Sequence, residues 1–354
     1  MKKEDIIASI SQIRNEIGHE DIEPDIKEVI FNQGKKELLI ITSDRPEKSL
    51  VIGKGGWVVG KLKEKLGIKQ IHVEAYTDIL MRKYRMELAF KRLGEVTGDY
   101  NTQARKPLTN LLNLLNRRIK YPYNLDDVLE DLNEQKNLEN EINPANLKIK
   151  DLSSYKAVVA LSGGVDSSFS LIIAKIMGFH PLAITVDPGG IILPGYFREK
   201  VETLTRKLGV KHRYLEVDMA KEIEGAMEGR YHPCGRCSKV IEETVMNYAH
   251  TEDVPFVIFG DLLATGAQSL VKKGNVLRIN LPAMLSATKG ETKALAGNYG
   301  ISSTGGYGCP LLAEVKKKYN YMNRFSVQRV LRETRAGILE PGEALDMVMS
   351  LCRK

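Results

Sequence analysis

The chain has 354 residues, 43% of them hydrophobic and 27% charged, which are proportions typical of a soluble globular protein with room for two domains. No apolar run approaches the about 20 residues of a membrane span, and the charged start MKKEDIIASISQIRNEIG is unlike a signal peptide, so we expect a cytoplasmic protein without membrane contact. The formal net charge of +7 permits a polyanionic partner without requiring one.

The amino-terminal segment, residues 1–77, shows alternating helical and strand patterns around one glycine-rich turn. Helical periodicity and short alternating apolar runs predict the order helix, strand, strand, helix, turn, helix, strand. The predicted segments are Glu4–Ile17, Ile26–Phe31, Glu37–Thr42, Glu47–Ile52, the turn Gly53–Gly56, Trp57–Leu66 and Ile68–Ala75.

The turn in this segment has the composition of a nucleic-acid loop. In VIGKGG, glycines remove side chains that would hold a ligand backbone away, helix N-termini offer free N–H groups, and a lysine adds charge. With its element order, the segment resembles a type II KH domain. That resemblance implies RNA binding by Gly53, Lys54, Gly55 and Gly56. The alternative is a glycine turn between two core helices.

Residues 78–150 are predicted to form a helical connector rich in lysine and arginine, which turns acidic in NLDDVLEDLNEQKNLENE. Such charges usually mark a solvated helix face, and a basic face beside a KH-like unit could instead extend an RNA contact.

The strongest motif lies in YKAVVALSGGVDSSFSLIIAKIMG. A strand over Lys156–Leu161 leads through the turn Ser162–Ser168 into a helix over Phe169–Met177. A glycine turn between a strand and a helix start creates an anion site, because backbone N–H groups and hydroxyls face the ligand. The segment SGGVDSS resembles the PP-loop of the ATP pyrophosphatase superfamily. A capped helix N-terminus would explain only one or two of these residues.

This resemblance implies an α/β fold, with a parallel-sheet domain of the adenine nucleotide alpha hydrolase type over residues 151–313. It further implies cleavage of ATP to AMP and pyrophosphate, with Asp166 holding Mg²⁺. The phosphates would be held by Ser162, Gly163, Gly164, Ser167 and Ser168.

Three further residues follow predicted strands of this domain. HPLAITVD ends at Asp187, KHRYLEVD forms the next strand, and VPFVIFGD ends at Gly260 and Asp261. Ligands of open parallel sheets lie beyond the carboxyl ends of the strands, so we expect these residues to face the nucleotide. They could equally be strand-end caps.

Cysteines supply the second chemical signal in this domain. Cys234 and Cys237 form a CxxC pair in YHPCGRCSK, and Cys309 follows far along the chain in GGYGCPLL. In a reducing compartment, soft thiolates suit iron–sulfur or zinc, and three ligands leave one metal position open.

A CxxC pair and a distant cysteine within a PP-loop domain resemble the iron–sulfur tRNA thiolation enzymes, the 2-thiouridine and 2-thiocytidine synthetases. That resemblance implies a [4Fe–4S] cluster on Cys234, Cys237 and Cys309. It also places Lys289 of INLPAMLSATKGETKALAGNYGI near the nucleotide, so Cys309, Asp261 and Lys289 are the predicted catalytic residues.

Other interpretations of the cysteines remain open. Cys234 and Cys237 could be a redox or persulfide-carrying pair, or could bind structural zinc with His232 or Cys352 as a further ligand. Cys309 could be a small buried residue.

The predicted function is therefore an ATP-dependent RNA sulfurtransferase. It would adenylate a base carbonyl oxygen of RNA, with tRNA as the expected substrate, and replace it with sulfur from a donor protein or sulfide. A homodimer is compatible with the sequence, and residues 314–354 are predicted to form a helical extension. The alternative function is a PP-loop sulfur transferase or amide-forming ligase that acts on a small molecule.

Overall fold

The computed structural model describes residues 2–20, 22–125, 127–129, 155–303 and 308–353, and the chain divides into two compact units between Tyr84 and Arg85. Three sequence predictions lie outside the described residues: most of the acidic stretch, the start of the catalytic domain at 151, and the glycines at 305 and 306. Within the described part of the chain, no helix combines the length and apolar character needed to cross a membrane.

The first unit packs three helices against one three-stranded sheet. Strands β1 and β2 are antiparallel, while β3 pairs with β2 in parallel. The predicted order of elements is confirmed. The elements are α1 (Lys3–Glu16), β1 (Ile26–Asn32), β2 (Glu37–Thr42), α2 (Arg45–Ile52), α3 (Trp57–Leu66) and β3 (Gln70–Ala75), followed by α4 (Tyr76–Thr97), which contains the division between the units.

A single apolar core holds this unit together, and the glycine turn is built into it. Ile6, Ile10 and Ile40 are at most 1% exposed and pack in the same cluster as Val58. At Gly53, where φ is +72°, a Cβ atom would lie 2.4 Å from Cγ2 of Val58. Only glycine therefore fits at position 53 between α2 and α3, so packing by itself is a reason for glycine at this position of the turn.

The second unit is an α/β fold around a six-stranded sheet, which confirms the predicted fold class. The strand order is β6-β5-β4-β7-β9-β8, and all neighbours are parallel except β8 and β9. Its elements are α5 (Thr102–Lys120), β4 (Lys156–Ala160), α6 (Val165–Ile176), β5 (His180–Asp187), α7 (Gly195–Leu208), β6 (Lys211–Glu216), α8 (Ala220–Met227), α9 (Pro233–Thr251), β7 (Phe256–Phe259), β8 (Leu270–Lys273), β9 (Val276–Asn280), α10 (Leu281–Met284), α11 (Lys289–Asn298), α12 (Pro310–Lys318), α13 (Asn323–Arg335) and α14 (Pro341–Cys352).

The topology gives β4 a special position. Its neighbours are β5 on one side and β7 on the other, so the chain reverses its winding direction at β4. Loops at such a switch point diverge and leave a crevice at the carboxyl edge of the sheet, where ligands bind. The SGGVDSS segment follows β4 and therefore lies at this crevice.

Two features of the second unit differ from the sequence prediction. Helix α6 begins at Val165 rather than Phe169, so the second half of SGGVDSS is the first helical turn. The short hairpin β8–β9 was not predicted, because runs of four and five residues carry little periodic signal.

Candidate active site

The turn after β4 is closely packed by its neighbours. Gly163 has φ of +75°, and a Cβ atom there would lie 2.6 Å from the carbonyl oxygen of Phe197 in α7. The Ser167 hydroxyl accepts a hydrogen bond from the Ser162 backbone N–H (3.2 Å) and donates one to the Gly164 carbonyl (3.0 Å). The turn is thus held in one conformation by its own serine.

Ser168 differs from the other predicted phosphate ligands. Its side chain is 1% exposed, and its hydroxyl has no hydrogen-bond partner among the residues that the structure describes. Its neighbour Ser170 donates to the Asp166 carbonyl (3.2 Å) or the Phe259 carbonyl (3.1 Å), which connects α6 to the end of β7.

The Asp166 carboxylate is held by two side chains of helix α11. The Lys289 ammonium lies 2.5 Å from Oδ2, and the Thr292 hydroxyl donates to Oδ1 at 2.9 Å. Lys289 and Asp166 remain accessible, with side-chain exposures of 22% and 24%. The motif's acidic residue and the predicted lysine therefore meet beside the turn, and Thr292 is a partner that the sequence prediction missed.

A buried ion pair supports the start of α11. Thr288 and Glu291 form a capping box: the Thr288 hydroxyl accepts from the Glu291 N–H, and the Glu291 carboxylate accepts from the Thr288 N–H. The same carboxylate pairs with Arg118 of α5, whose side chain is fully buried. The T-x-x-E spacing is typical of a capping box, whereas no local pattern in the sequence indicates that Arg118 pairs with Glu291.

At the end of β5, Asp187 is oriented by two donors. Its Oδ1 accepts from the Gly189 N–H (3.0 Å), and its Oδ2 pairs with Arg198 of α7 at 2.5 Å. This carboxylate raises the pKa of Arg198, and the guanidinium stacks 5.0 Å from the centre of the Tyr214 ring. Arg198 was not predicted, because it reaches the strand end only through the packing of α7.

At the end of β7, Gly260 allows a backbone to approach the turn. A Cβ atom at Gly260 would lie 2.7 Å from the Ser167 nitrogen. The Asp261 side chain accepts from the Leu263 N–H at 2.9 Å, and its carbonyl accepts from the Ala283 N–H at 3.2 Å. Asp261 thus shapes the loop after β7.

Two helix starts bring the three predicted cysteine ligands into one region. Cys234 and Cys237 lie in the first turns of α9, and Cys309 is the N-cap of α12, where its Sγ accepts from the Leu312 N–H at 3.5 Å. Cys237 and Cys309 pack in the same apolar cluster. Cys352 is exposed on α14.

The thiols influence one another electrostatically. Burial is the main cause that raises the pKa of Cys234, and the nearby thiol of Cys309 raises it further. Burial is the main reason that the pKa of Cys237 is raised to about 11, and the nearby thiols of Cys309 and Cys234 add smaller increases. Within the described ranges, no three His, Cys, Asp or Glu side chains are arranged to hold a metal ion. The three cysteines supply soft donors of the kind that a thiophilic centre takes, although their side chains are not arranged around a common point.

The glycine turn of the first unit has an open surface. Lys54 and Gly55 are exposed, and Gly55 and Gly56 have φ of +62° and +78°. A Cβ atom at Gly55 would meet no described atom within 4 Å. The turn therefore presents backbone to solvent at its tip.

No model of a known protein family matches the chain. Uncharacterized protein MJ1638 of Methanocaldococcus jannaschii is 40% identical over 196 residues, which cover 55% of this chain and 74% of that protein. The chain belongs to the MJ1638 family.

Solved structures give more distant similarities to this MJ1638 family member. One is the U34-tRNA thiolase NcsA from Methanococcus maripaludis with its [4Fe–4S] cluster (16% identity, TM-score 0.34, covering 64% of this chain and 79% of that chain). Another is NMN synthetase from Francisella tularensis (14% identity, TM-score 0.35, covering 56% and 84%). At these TM-scores, neither similarity carries information about the chemistry of this chain.

Proposed function

We propose that the protein is an ATP-dependent enzyme of the PP-loop superfamily that thiolates RNA, with tRNA as its substrate class. The observation that carries the proposal is the contact between Asp166 of SGGVDSS and Lys289 at the switch point of the sheet. A glycine turn, a helix N-terminus and a lysine ammonium at one crevice together favour a bound polyphosphate.

The chemistry proposed for this crevice is adenylation. The base carbonyl oxygen attacks the α-phosphorus of ATP, the bond to the β-phosphate oxygen breaks, and pyrophosphate leaves. A sulfur nucleophile then forms a C–S bond at the same carbon as AMP departs with the oxygen. Lys289 and the backbone N–H groups of the turn would stabilise the charge that develops on the phosphates.

Asp166 would hold the Mg²⁺ that accompanies ATP. Its carboxylate already faces a cation, the Lys289 ammonium, and is partly accessible. Asp187 and Gly260 lie at the ends of the two strands that flank β4 and would line the nucleotide site.

The three thiols favour sulfur transfer over other reactions of an adenylating enzyme. Cys234, Cys237 and Cys309 would hold a [4Fe–4S] cluster, with zinc as the alternative, and the cluster would supply an open iron position for the sulfur that is transferred. Loading the site requires these thiols to lose their protons, and burial raises the pKa of Cys234 and Cys237, so loading should become more favourable as the pH rises. Sulfide or a donor protein would provide the sulfur.

RNA binding is assigned to the first unit. Its element order and glycine turn support a KH-like module over residues 1–77, and a base must leave its stack before its carbonyl can react. In this proposal, residues 78–150 are the basic connector, 151–313 the catalytic domain and 314–354 an extension. We place the enzyme in the cytoplasm, where thiols stay reduced.

The test combines two products in one reaction. Full-length protein purified without oxygen is incubated with ATP, Mg²⁺, sulfide and bulk tRNA, and both pyrophosphate and thionucleosides are measured. We expect both, each dependent on tRNA. Pyrophosphate release that needs a small-molecule acceptor instead of RNA would favour the amide-forming or small-molecule alternative. Failure to release pyrophosphate with any acceptor would overturn the assignment of the ATP site.

A further inference from the structure

A cleft in the first unit contains an exposed tryptophan beside the glycine turn. The cleft has a volume of about 490 Å³ and is lined by Ile17, His19, Lys54, Gly55 and Trp57. The Trp57 side chain is 61% exposed and is the chain's one tryptophan. A large aromatic side chain gains free energy from burial, so an exposed indole in a cleft indicates a surface that a ligand covers.

The position of this indole is set by packing on the opposite side of its helix. Trp57 is the first residue of α3, and the next residue, Val58, is fully buried against Gly53. The Lys61 ammonium lies one turn along the helix, 6.0 Å from the centre of the indole ring. The backbone that carries Trp57 is thus anchored in the core while the ring remains open to a ligand.

The charges around the cleft identify the kind of ligand. Lys54 lines the cleft and is exposed at the tip of the turn, and further along α3 the side chains of Lys61, Lys63 and Lys65 are exposed with one acidic residue, Glu64, among them. Lys61 pairs with Glu64 at 3.2 Å, so the remaining charge is positive. An aromatic face within a positive surface matches a nucleobase attached to phosphodiesters, whereas lysine is depleted in protein–protein interfaces.

We propose that Trp57 stacks on an unpaired base of single-stranded RNA, whose adjacent phosphates contact Lys54 and the backbone of the glycine turn. The inference rests on the proposed assignment of RNA binding to this unit and adds a base-contacting residue to it. The RNA must be single-stranded at this point, because bases inside an A-form duplex stack on one another and cannot reach a side chain. Stacking of this kind tolerates any base, so we expect little sequence preference.

The single tryptophan makes the test direct, because all indole fluorescence of the full-length protein comes from Trp57. The protein is titrated with RNA oligonucleotides of about eight nucleotides, oligo(U) and oligo(A), and with a fully paired RNA duplex. We expect both single strands to quench the fluorescence and the duplex to leave it unchanged. Equal quenching by the duplex would contradict stacking on an unpaired base.

Variants separate stacking from phosphate binding. We expect Trp57→Ala to weaken single-strand binding, measured by anisotropy of a labelled oligonucleotide, about 5- to 100-fold, with a smaller loss for Trp57→Phe. Lys54→Ala should weaken binding to single strands and reduce the salt dependence of log Kd by about one. Tyr76→Ala, which removes another exposed aromatic side chain of this unit (45% exposed), is the matched control and should bind normally.

The possible outcomes separate a failure of base stacking by Trp57 from a failure of the proposed RNA binding. If single-stranded RNA binds the protein but Trp57→Ala has wild-type affinity, stacking is wrong and RNA binding by the unit stands. If neither the oligonucleotides nor bulk tRNA binds, the assignment of RNA binding fails and the stacking fails with it. Circular dichroism of each variant excludes unfolding as the cause of lost affinity.

Discussion

The Lys289 ammonium lies 2.5 Å from Oδ2 of Asp166, although 123 positions separate the two residues in the chain. Asp166 lies in the first turn of helix α6, which follows the glycine turn, and Lys289 begins helix α11. Because Thr292 donates to the other carboxylate oxygen, two side chains of α11 orient the acidic residue of SGGVDSS. The orientation of this carboxylate therefore depends on an element outside the motif.

We expect Lys289→Met to lower the rate of pyrophosphate release by about 10²- to 10³-fold, as removal of one preorganised charge from a transition state does. Lys293→Met is the matched control: Lys293 lies one turn further along α11 and pairs with Glu343 instead. Pyrophosphate release by both variants is measured under saturating ATP and tRNA. A normal rate in Lys289→Met would exclude Lys289 from the reaction.

Gly260→Ala should displace the SGGVDSS turn without changing any residue of the motif itself. The added Cβ atom would lie 2.7 Å from the Ser167 nitrogen, which is backbone and cannot rotate away. We expect the free energy of unfolding to fall by about 1–3 kcal/mol and ATP affinity to fall as well. Gly297→Ala in α11 has no atom within 4 Å of the new Cβ, so it should leave ATP affinity unchanged and, because alanine favours a helix over glycine, should raise the free energy of unfolding by at most about 1 kcal/mol. Denaturant titration and nucleotide binding measure them.

Removing one partner of the buried pair of Arg118 and Glu291 should cost more stability than removing one partner of an exposed ion pair. Glu291→Ala leaves a fully buried guanidinium without this carboxylate, and breaking such a pair costs about 3–5 kcal/mol. Glu314→Ala removes the exposed partner of Lys317 and should cost at most about 1 kcal/mol. Urea unfolding of both variants gives the comparison, and similar losses would show that burial of Arg118 adds nothing.

Cys309→Ser should abolish thionucleoside formation while nucleotide binding stays normal. Serine can still cap helix α12 in place of the sulfur that accepts from Leu312, so the substitution removes the thiol but keeps the cap. Cys352→Ser is the control, because Cys352 is exposed on α14. Iron and sulfide content of the anaerobically purified proteins is measured alongside the product. Thiolation by Cys309→Ser at the normal rate would refute the role of this residue.

Protonation of His212 should make the fold less stable in mild acid. Burial lowers the pKa of His212 below its ordinary value of 6.5. The Thr185 hydroxyl lies 2.7 Å from the Leu161 carbonyl, and with its proton donated there, its oxygen accepts from the neutral ring at 2.9 Å.

Because the folded pKa of His212 is lower than the unfolded one, its contribution to stability is complete above pH 6.5 and declines as pH falls toward the folded pKa. We expect the free energy of unfolding of His212→Gln to depend less on pH between 7.5 and 5 than that of the wild type. If the free energy of unfolding changes equally with pH in the two proteins, the prediction is contradicted.

Much of the fold was readable from local patterns. The order of elements around VIGKGG, the strand before SGGVDSS and the strands ending at Asp187 and Gly260 all appear in the structure. Each depends on the periodicity of a few neighbouring residues, which is a property of the sequence itself. The hairpin β8–β9 escaped prediction because its strands are short.

The sequence alone determined which residues are predicted to carry the chemistry: a glycine turn after a strand, an acidic residue in it, and three cysteines. Only the tertiary structure decided that Lys289 and Thr292 hold Asp166, that Arg198 pairs with Asp187, and that Cys309 packs near Cys237. The physical reason is that these contacts join elements far apart in the chain. They are set by the order of strands in the sheet and by helix packing, which no local periodicity encodes.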